Sequence, residues 1–235
     1  MLPKLIILHG LNNNSSTWDE FEAALRLRGF SDIVRFPLPG HGDKRDEGQS
    51  FSAALKSFDE KLTPHVQEPY VVVAYSLGAL FFENWLIGRK ENLPLKQVLL
   101  APALYLRKEK WIREIIKRLH PKLPIPSIAP RDIMLYKTLF VWEYKNLLGG
   151  MTRFQLDPSP VTVPSLVLLD PEDELIDAGK LKTEWGKKNP GEVYFLQRPT
   201  QKWGPSNHHI LFHSKYFTPV EWEFYVEKVV GFLRG

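Results

Sequence analysis

Tyr70-Val-Val-Val-Ala-Tyr75-Ser76-Leu77-Gly78-Ala-Leu-Phe-Phe82 is the stretch on which the reading of this chain turns. Residues 70–73 are β-branched and aromatic, the composition of a short strand buried on both faces. From Leu77 onward the residues are apolar nearly all round, as in a buried helix. Ser76 stands between the two elements, with Ala74 and Gly78 two places to either side. A sharp strand-to-helix turn crowds its own backbone, so only small residues fit at those flanking positions. Such a turn lifts the serine hydroxyl above the sheet, and the helix N-terminus behind it offers free N–H groups where negative charge develops. Ser76 is therefore a candidate nucleophile, and the competing reading is a surface serine beside a helix.

Working outward, short apolar runs alternate with helical patterns. Strands are expected over residues 5–8, 33–36, 70–73, 97–101, 165–169 and 192–196, and helices over 17–28, 51–62, 77–87, 178–187 and 219–233. Gly29 is placed as a helix stop. Thr218-Pro219-Val220-Glu221 joins an N-cap, a first-turn proline and a capping-box glutamate ahead of Val226, Val229, Val230 and Leu233. Six such strands make a doubly wound, mostly parallel α/β sheet the expected fold. The alternation breaks between residues 104 and 160, where helices are expected over 111–119 and 132–148 around a proline-rich turn. That segment reads as a helical cap over the carboxyl ends of the strands, where such sheets bind ligands. Residues 1–103 and 161–235 form the core in this reading.

Composition narrows the chemistry. The 235 residues are enough for one full hydrophobic core, and 43% apolar with 25% charged residues is ordinary for a globular protein. The absence of cysteine excludes a disulfide frame, a thiolate nucleophile and cysteine-ligated zinc. No His-Glu-x-x-His pair stands among the seven histidines, and no metal or cofactor is expected. A net charge of +4 is too mild to indicate nucleic acid. No apolar run is long enough to span a bilayer and the first residues do not read as a signal peptide, so a cytoplasmic location is expected.

Five landmarks, the elbow among them, follow in order: His9-Gly10-Leu11, Pro39-Gly40-His41-Gly42, Ala74-Tyr75-Ser76-Leu77-Gly78, Leu169-Asp170-Pro171-Glu172-Asp173, and His208-His209-Ile210-Leu211-Phe212-His213. With them the chain resembles the α/β-hydrolase superfamily, in its esterase and monoacylglycerol-lipase-like branch, over essentially its whole length. Members usually carry two strands before the His-Gly strand, so the resemblance implies a six-stranded core lacking the first two. It also implies a serine carboxylic-ester hydrolase working through an acyl-enzyme. The implied triad is Ser76, Asp173 and His208, with Asp170 as the next acid and His209 as the alternative base. His208 rests on an apolar stretch that ends in a polar residue five places on, here His213. The implied oxyanion donors are the backbone N–H groups of Leu11 and Leu77. His9 and His41 read as braces of backbone turns.

Residues 104–160 hold eleven Lys/Arg, five Asp/Glu and seven aromatics. Phe140 and Trp142 are the expected substrate contacts, for an acyl ester of small to medium length or a lipid, and the basic face is expected to make weak contact with a lipid surface. The competing readings are aromatics that form the cap's own core, a thioesterase or acyltransferase with the same triad, and a non-catalytic ligand-binding protein on this scaffold.

Overall fold

The computed structural model describes residues 2–41, 48–157, 159–189, 191–196 and 208–235. Gly42 of the second landmark and the residues just before His208 lie outside them. Six parallel strands form the sheet: β1 (Lys4–Leu8), β2 (Ile33–Phe36), β3 (Tyr70–Tyr75), β4 (Gln97–Leu100), β7 (Ser165–Leu169) and β8 (Glu192–Phe195), in the order β2-β1-β3-β4-β7-β8. β1, β3, β4 and β7 are buried along almost their whole length, which is why they read as continuous apolar runs without alternation. The chain steps from β1 out to β2, then crosses back to place β3 on the other side of β1. That reversal opens a crevice beyond the carboxyl ends of β1 and β3, the place such sheets offer a ligand.

The helices are α1 (Asp19–Leu27), α2 (Phe51–Leu62), α3 (Leu77–Leu86), α4 (Glu109–Arg118), α5 (Val141–Leu156), α6 (Ala178–Lys188) and α7 (Pro219–Arg234). Gly29 stops α1 with a φ of 92°, and Thr218 and Glu221 cap α7 reciprocally at 3.3 and 2.7 Å. In α3 every residue but the last is buried, because the sheet lies beneath it and α5 packs across it.

The segment 104–160 departs from its expected layout. The helix expected over 132–148 begins at Val141 instead and runs through Gly149-Gly150 to Leu156. A two-stranded antiparallel ribbon, β5 (Pro124–Pro126) and β6 (Thr138–Phe140), precedes it. Two local causes explain the shift. The Glu143 carboxylate accepts from the Phe140 N–H at 2.6 Å, which marks the helix start. Gly150, which reads as a breaker, is where α5 comes closest to its neighbours: a Cβ there would lie 2.6 Å from the Phe51 ring and 3.0 Å from Leu80. Asn84 Nδ2 also donates to the Gly150 carbonyl at 3.1 Å.

Candidate active site

Each landmark arrives at the crevice on a different element. Ser76 follows the last residue of β3 at φ 49° and ψ −111°, a backbone that side chains other than glycine rarely adopt. The surroundings hold it there. Its N–H donates to the Leu100 carbonyl at 3.0 Å, and its carbonyl accepts from Leu80 and Ala103 at 3.2 and 3.1 Å. Gly78 lets the start of α3 press on the end of β1, since a Cβ there would lie 2.5 Å from the His9 carbonyl oxygen. Ala74 is fully buried at the Leu8 position of the β1 register.

The ring of His209 faces Ser76, with Nε2 3.0 Å from Oγ. Its Nδ1 lies 2.8 Å from Asp173 Oδ2. The expectation that His208 fills this place is corrected. His208 Nδ1 lies 3.0 Å from Asp170 Oδ2, so the two adjacent histidines diverge, each onto its own aspartate. The Tyr75 ring, 5.1 Å from that of His209 between centroids, packs beside the inner one. Both expected acids thus bind an imidazole, and only Asp173 binds the one that touches Ser76.

Asp173 is completely buried. Burial pushes its carboxyl up, but the facing His209 ring and the N–H groups of Ile176 and Leu175 outweigh it and hold Asp173 below the usual carboxylate range. Those two amides reach Oδ1 at 2.8 Å each, which fixes the carboxylate and leaves Oδ2 for the histidine. Glu174, one of five carboxylates in this loop, reads from the sequence as part of a solvated turn. Its carboxylate accepts from the backbone N–H groups of both His208 and His209 at 3.2 Å, and so anchors the turn that carries them.

Leu77 and Leu11 meet at the other side of Ser76. Among the described residues neither backbone N–H has a hydrogen-bond partner, and both residues line the cavity with Ser76 and His209. His9 and His41 support the loop beside Leu11. His9 donates from Nδ1 to the Gly10 carbonyl at 2.8 Å and accepts from the Leu38 N–H at 3.1 Å, and burial lowers its pKa in keeping with a neutral ring. His41 Nε2 accepts from the Asn12 N–H at 2.9 Å.

Ser76 opens into a cavity of about 370 Å³ roofed by residues 106–148. Its walls are apolar, with Ile112 and Ile116 on α4, Leu139 on β6, and Tyr144, Leu147 and Leu148 on α5. Phe140 and Trp142, the expected contacts, do not line it. Trp142 borders a separate cleft of about 30 Å³ with Leu11 and Leu77. The signal that could have found the real wall is the 112, 115, 116 repeat of isoleucines along α4, a stripe at helical spacing. Three apolar cavity residues are exposed at the mouth: Trp111 (65%), Ile115 (37%) and Ile128 (58%). No cluster of side chains suited to a metal ion occurs among the described residues.

The model of the Alpha/beta hydrolase family matches residues 5–187. No curated protein matches the chain. Among solved structures, the monoacylglycerol lipase of Paleococcus ferrophilus superposes with a TM-score of 0.69 at 15% identity, over 99% of this chain and 95% of that one. A soluble variant of monoglyceride lipase from Saccharomyces cerevisiae, bound to a substrate analogue, gives 0.69 at 13% identity over 98% and 87%. Alpha/beta hydrolase domain-containing protein 10 from mouse gives 0.66 at 15% over 100% and 90%. At these identities the likeness is one of fold.

Proposed function

The chain belongs to the alpha/beta hydrolase family, and from that premise we propose that it cleaves carboxylic esters with Ser76, His209 and Asp173 as its triad. The observation that carries this reading is the continuous path from Ser76 Oγ through both ring nitrogens of His209 to Asp173, at 3.0 and 2.8 Å. His209 takes the hydroxyl proton as Oγ attacks the ester carbonyl, and Asp173 holds the ring in the tautomer with Nδ1–H and stabilises the imidazolium. The N–H groups of Leu77 and Leu11 bind the oxyanion of the tetrahedral intermediate, a donor of this kind being worth about 3 kcal/mol in the transition state. His209 then gives its proton to the departing alcohol. Water, deprotonated by the same ring, cleaves the acyl-serine.

The substrate follows from the walls. A cavity with isoleucine, leucine and tyrosine around it suits an uncharged acyl chain of small to medium length. The two solved lipases named above are consistent with an acylglycerol-like ester. Exposed Trp111, Ile115 and Ile128 at the mouth, with exposed Lys108, Lys110, Lys117 and Arg118 on and beside α4, support entry from a lipid surface. Residues 104–160 act in this reading as the cap that selects the acyl group.

The test is covalent labelling. A fluorophosphonate reacts only with an activated serine, so the protein is expected to label at Ser76. Ser76→Ala is expected to abolish both labelling and hydrolysis of p-nitrophenyl esters while the fold is retained. Full turnover in that variant, with contaminating esterase excluded, would remove the serine mechanism.

A further inference from the structure

We infer that Asn12 is a positioning residue that ties the oxyanion hole to the cap, so that the Leu11 N–H is correctly placed only while residues 127–136 are docked. The inference rests on the serine-hydrolase reading above.

Asn12 is 1% exposed and has φ 59°, a left-handed backbone that asparagine tolerates better than most residues. Every polar group it owns is engaged. Its N–H donates to His41 Nε2 at 2.9 Å, and its carbonyl accepts from the Leu135 N–H at 2.9 Å. Its side-chain oxygen accepts from the Tyr136 N–H at 2.7 Å. Its side-chain amide donates to the Tyr136 carbonyl at 2.8 Å and to Ser127 Oγ at 2.9 Å. Two residues on, the Asn14 N–H donates to the Ile133 carbonyl at 2.9 Å.

Apart from the His41 bond, these links join segments more than a hundred residues apart, with Asn12 and Asn14 at one end and residues 127–136 at the other. The neighbouring residues of the loop are held from below instead. Gly10 donates to Asn13 Oδ1 at 2.8 Å, and a Cβ on Gly10 would lie 2.6 Å from the Tyr75 ring. Leu11 sits between a lower anchor at Gly10 and an upper anchor at Asn12. The His41 bond also occupies the Asn12 N–H, which leaves the Leu11 N–H as the free donor of the pair. Moving the cap's inner loop therefore moves the residue next to the donor. An oxyanion donor displaced by about 1 Å forfeits much of its value, because its worth depends on being aimed before charge develops.

The experiment uses the full chain, after fluorophosphonate labelling of wild type has established the serine mechanism. Failure of that labelling would sink the hydrolase reading; the outcomes below concern Asn12 alone. Asn12→Gly keeps the left-handed backbone free of strain and removes the side-chain links. It is expected to lower kcat about tenfold to a hundredfold, with KM within about twofold of wild type. The pH midpoint of kcat/KM should not move, since His209 and Asp173 are untouched. Affinity for an alkyl boronic acid, which forms a tetrahedral serine adduct, should fall in step with kcat. A folded Asn12→Gly with kcat within about threefold of wild type would overturn the inference, as would a change confined to KM. Ser127→Ala provides the second variant, whether or not Asn12→Gly folds. It removes one cap-side acceptor and should lower kcat less, at unchanged KM; an unchanged kcat would overturn the link. Combined with a folded Asn12→Gly it should cost nothing further, and additive losses would show that the two residues act separately.

Discussion

At the scale of single residues, the site turns on which of two adjacent histidines reaches the serine. His209→Ala removes the ring that touches Ser76, so kcat for a p-nitrophenyl ester should fall about 10⁴-fold or more. His208→Ala loses only the ring bound to Asp170 and should stay within about tenfold of wild type, its cost coming through the shared turn. Steady-state kinetics on the two variants decide between them, and the reverse ranking would contradict the proposed triad. The sequence brought both residues to attention and favoured His208, whereas the ring that faces Ser76 is that of His209. Spacing to later apolar residues cannot report which way a side chain leaves a turn; that depends on Tyr75 and on the two aspartates below, which are distant in sequence. The role of Glu174 was hidden for a related reason, since its partners are backbone N–H groups with no signature of their own. Asn12, Asn13 and Asn14 read together as a polar loop, yet one binds the cap, one closes the Gly10 turn, and one accepts from the Ser16 N–H at 3.3 Å.

At the scale of elements, α3 and α4 carry consequences of opposite kinds. Glu83 lies within the buried run of α3, and burial pushes its carboxyl up to about 8, with the Gln97 side chain and the charge of Lys188 pulling the other way. The folded protein therefore keeps a proton that the unfolded chain releases near 4.5. The stabilising effect of that proton is complete at pH values below 4.5, and is lost as pH rises through about 8. Glu83→Gln keeps the shape and cannot ionise, so its melting temperature should fall less between about pH 5 and pH 8 than that of wild type, by an amount worth on the order of a few kcal/mol. Thermal melts across that interval check it, and parallel curves would contradict it. On α4 the apolar stripe forms the cavity wall. Ile116→Ala, and likewise Leu139→Ala on β6, should shift acyl preference towards longer chains by about 1–3 kcal/mol in relative kcat/KM. Phe140→Ala, off the cavity, should leave the length profile as it is. A series of p-nitrophenyl esters of increasing acyl length measures both. The helix α4 was legible because periodicity survives burial on one side, though its isoleucine stripe was passed over in favour of Phe140 and Trp142. The end of α5 was not legible, because its Gly149-Gly150 pair reads as a stop until the neighbouring Phe51 and Leu80 are seen to need the space.

At the scale of the whole molecule, the alternation of strand and helix was enough to predict six parallel strands and the break between the fourth and fifth of them, counted along the sheet. A parallel sheet buried on both faces leaves long apolar runs with no alternation, and these are hard to mistake. What the pattern could not convey is how firmly the inserted segment is attached. Phe51 and Leu80 press on Gly150, and Asn84 reaches its carbonyl, so α5 covers the outer side of the helix that carries Ser76. Lengthwise exchange of parts between related enzymes is accordingly restricted. Joining residue 103 to residue 161 through a short linker would strip α3 of its cover, and the product should be recovered aggregated, with no cooperative melt by calorimetry. A folded, cooperatively melting product would show the segment to be dispensable. Swapping in a foreign segment should succeed only if it brings a glycine to the Phe51 contact and donors and acceptors for Asn12. A roof attached in this way is expected to change its selectivity by substitution in place, with wholesale replacement closed off unless two distant anchor points change with it.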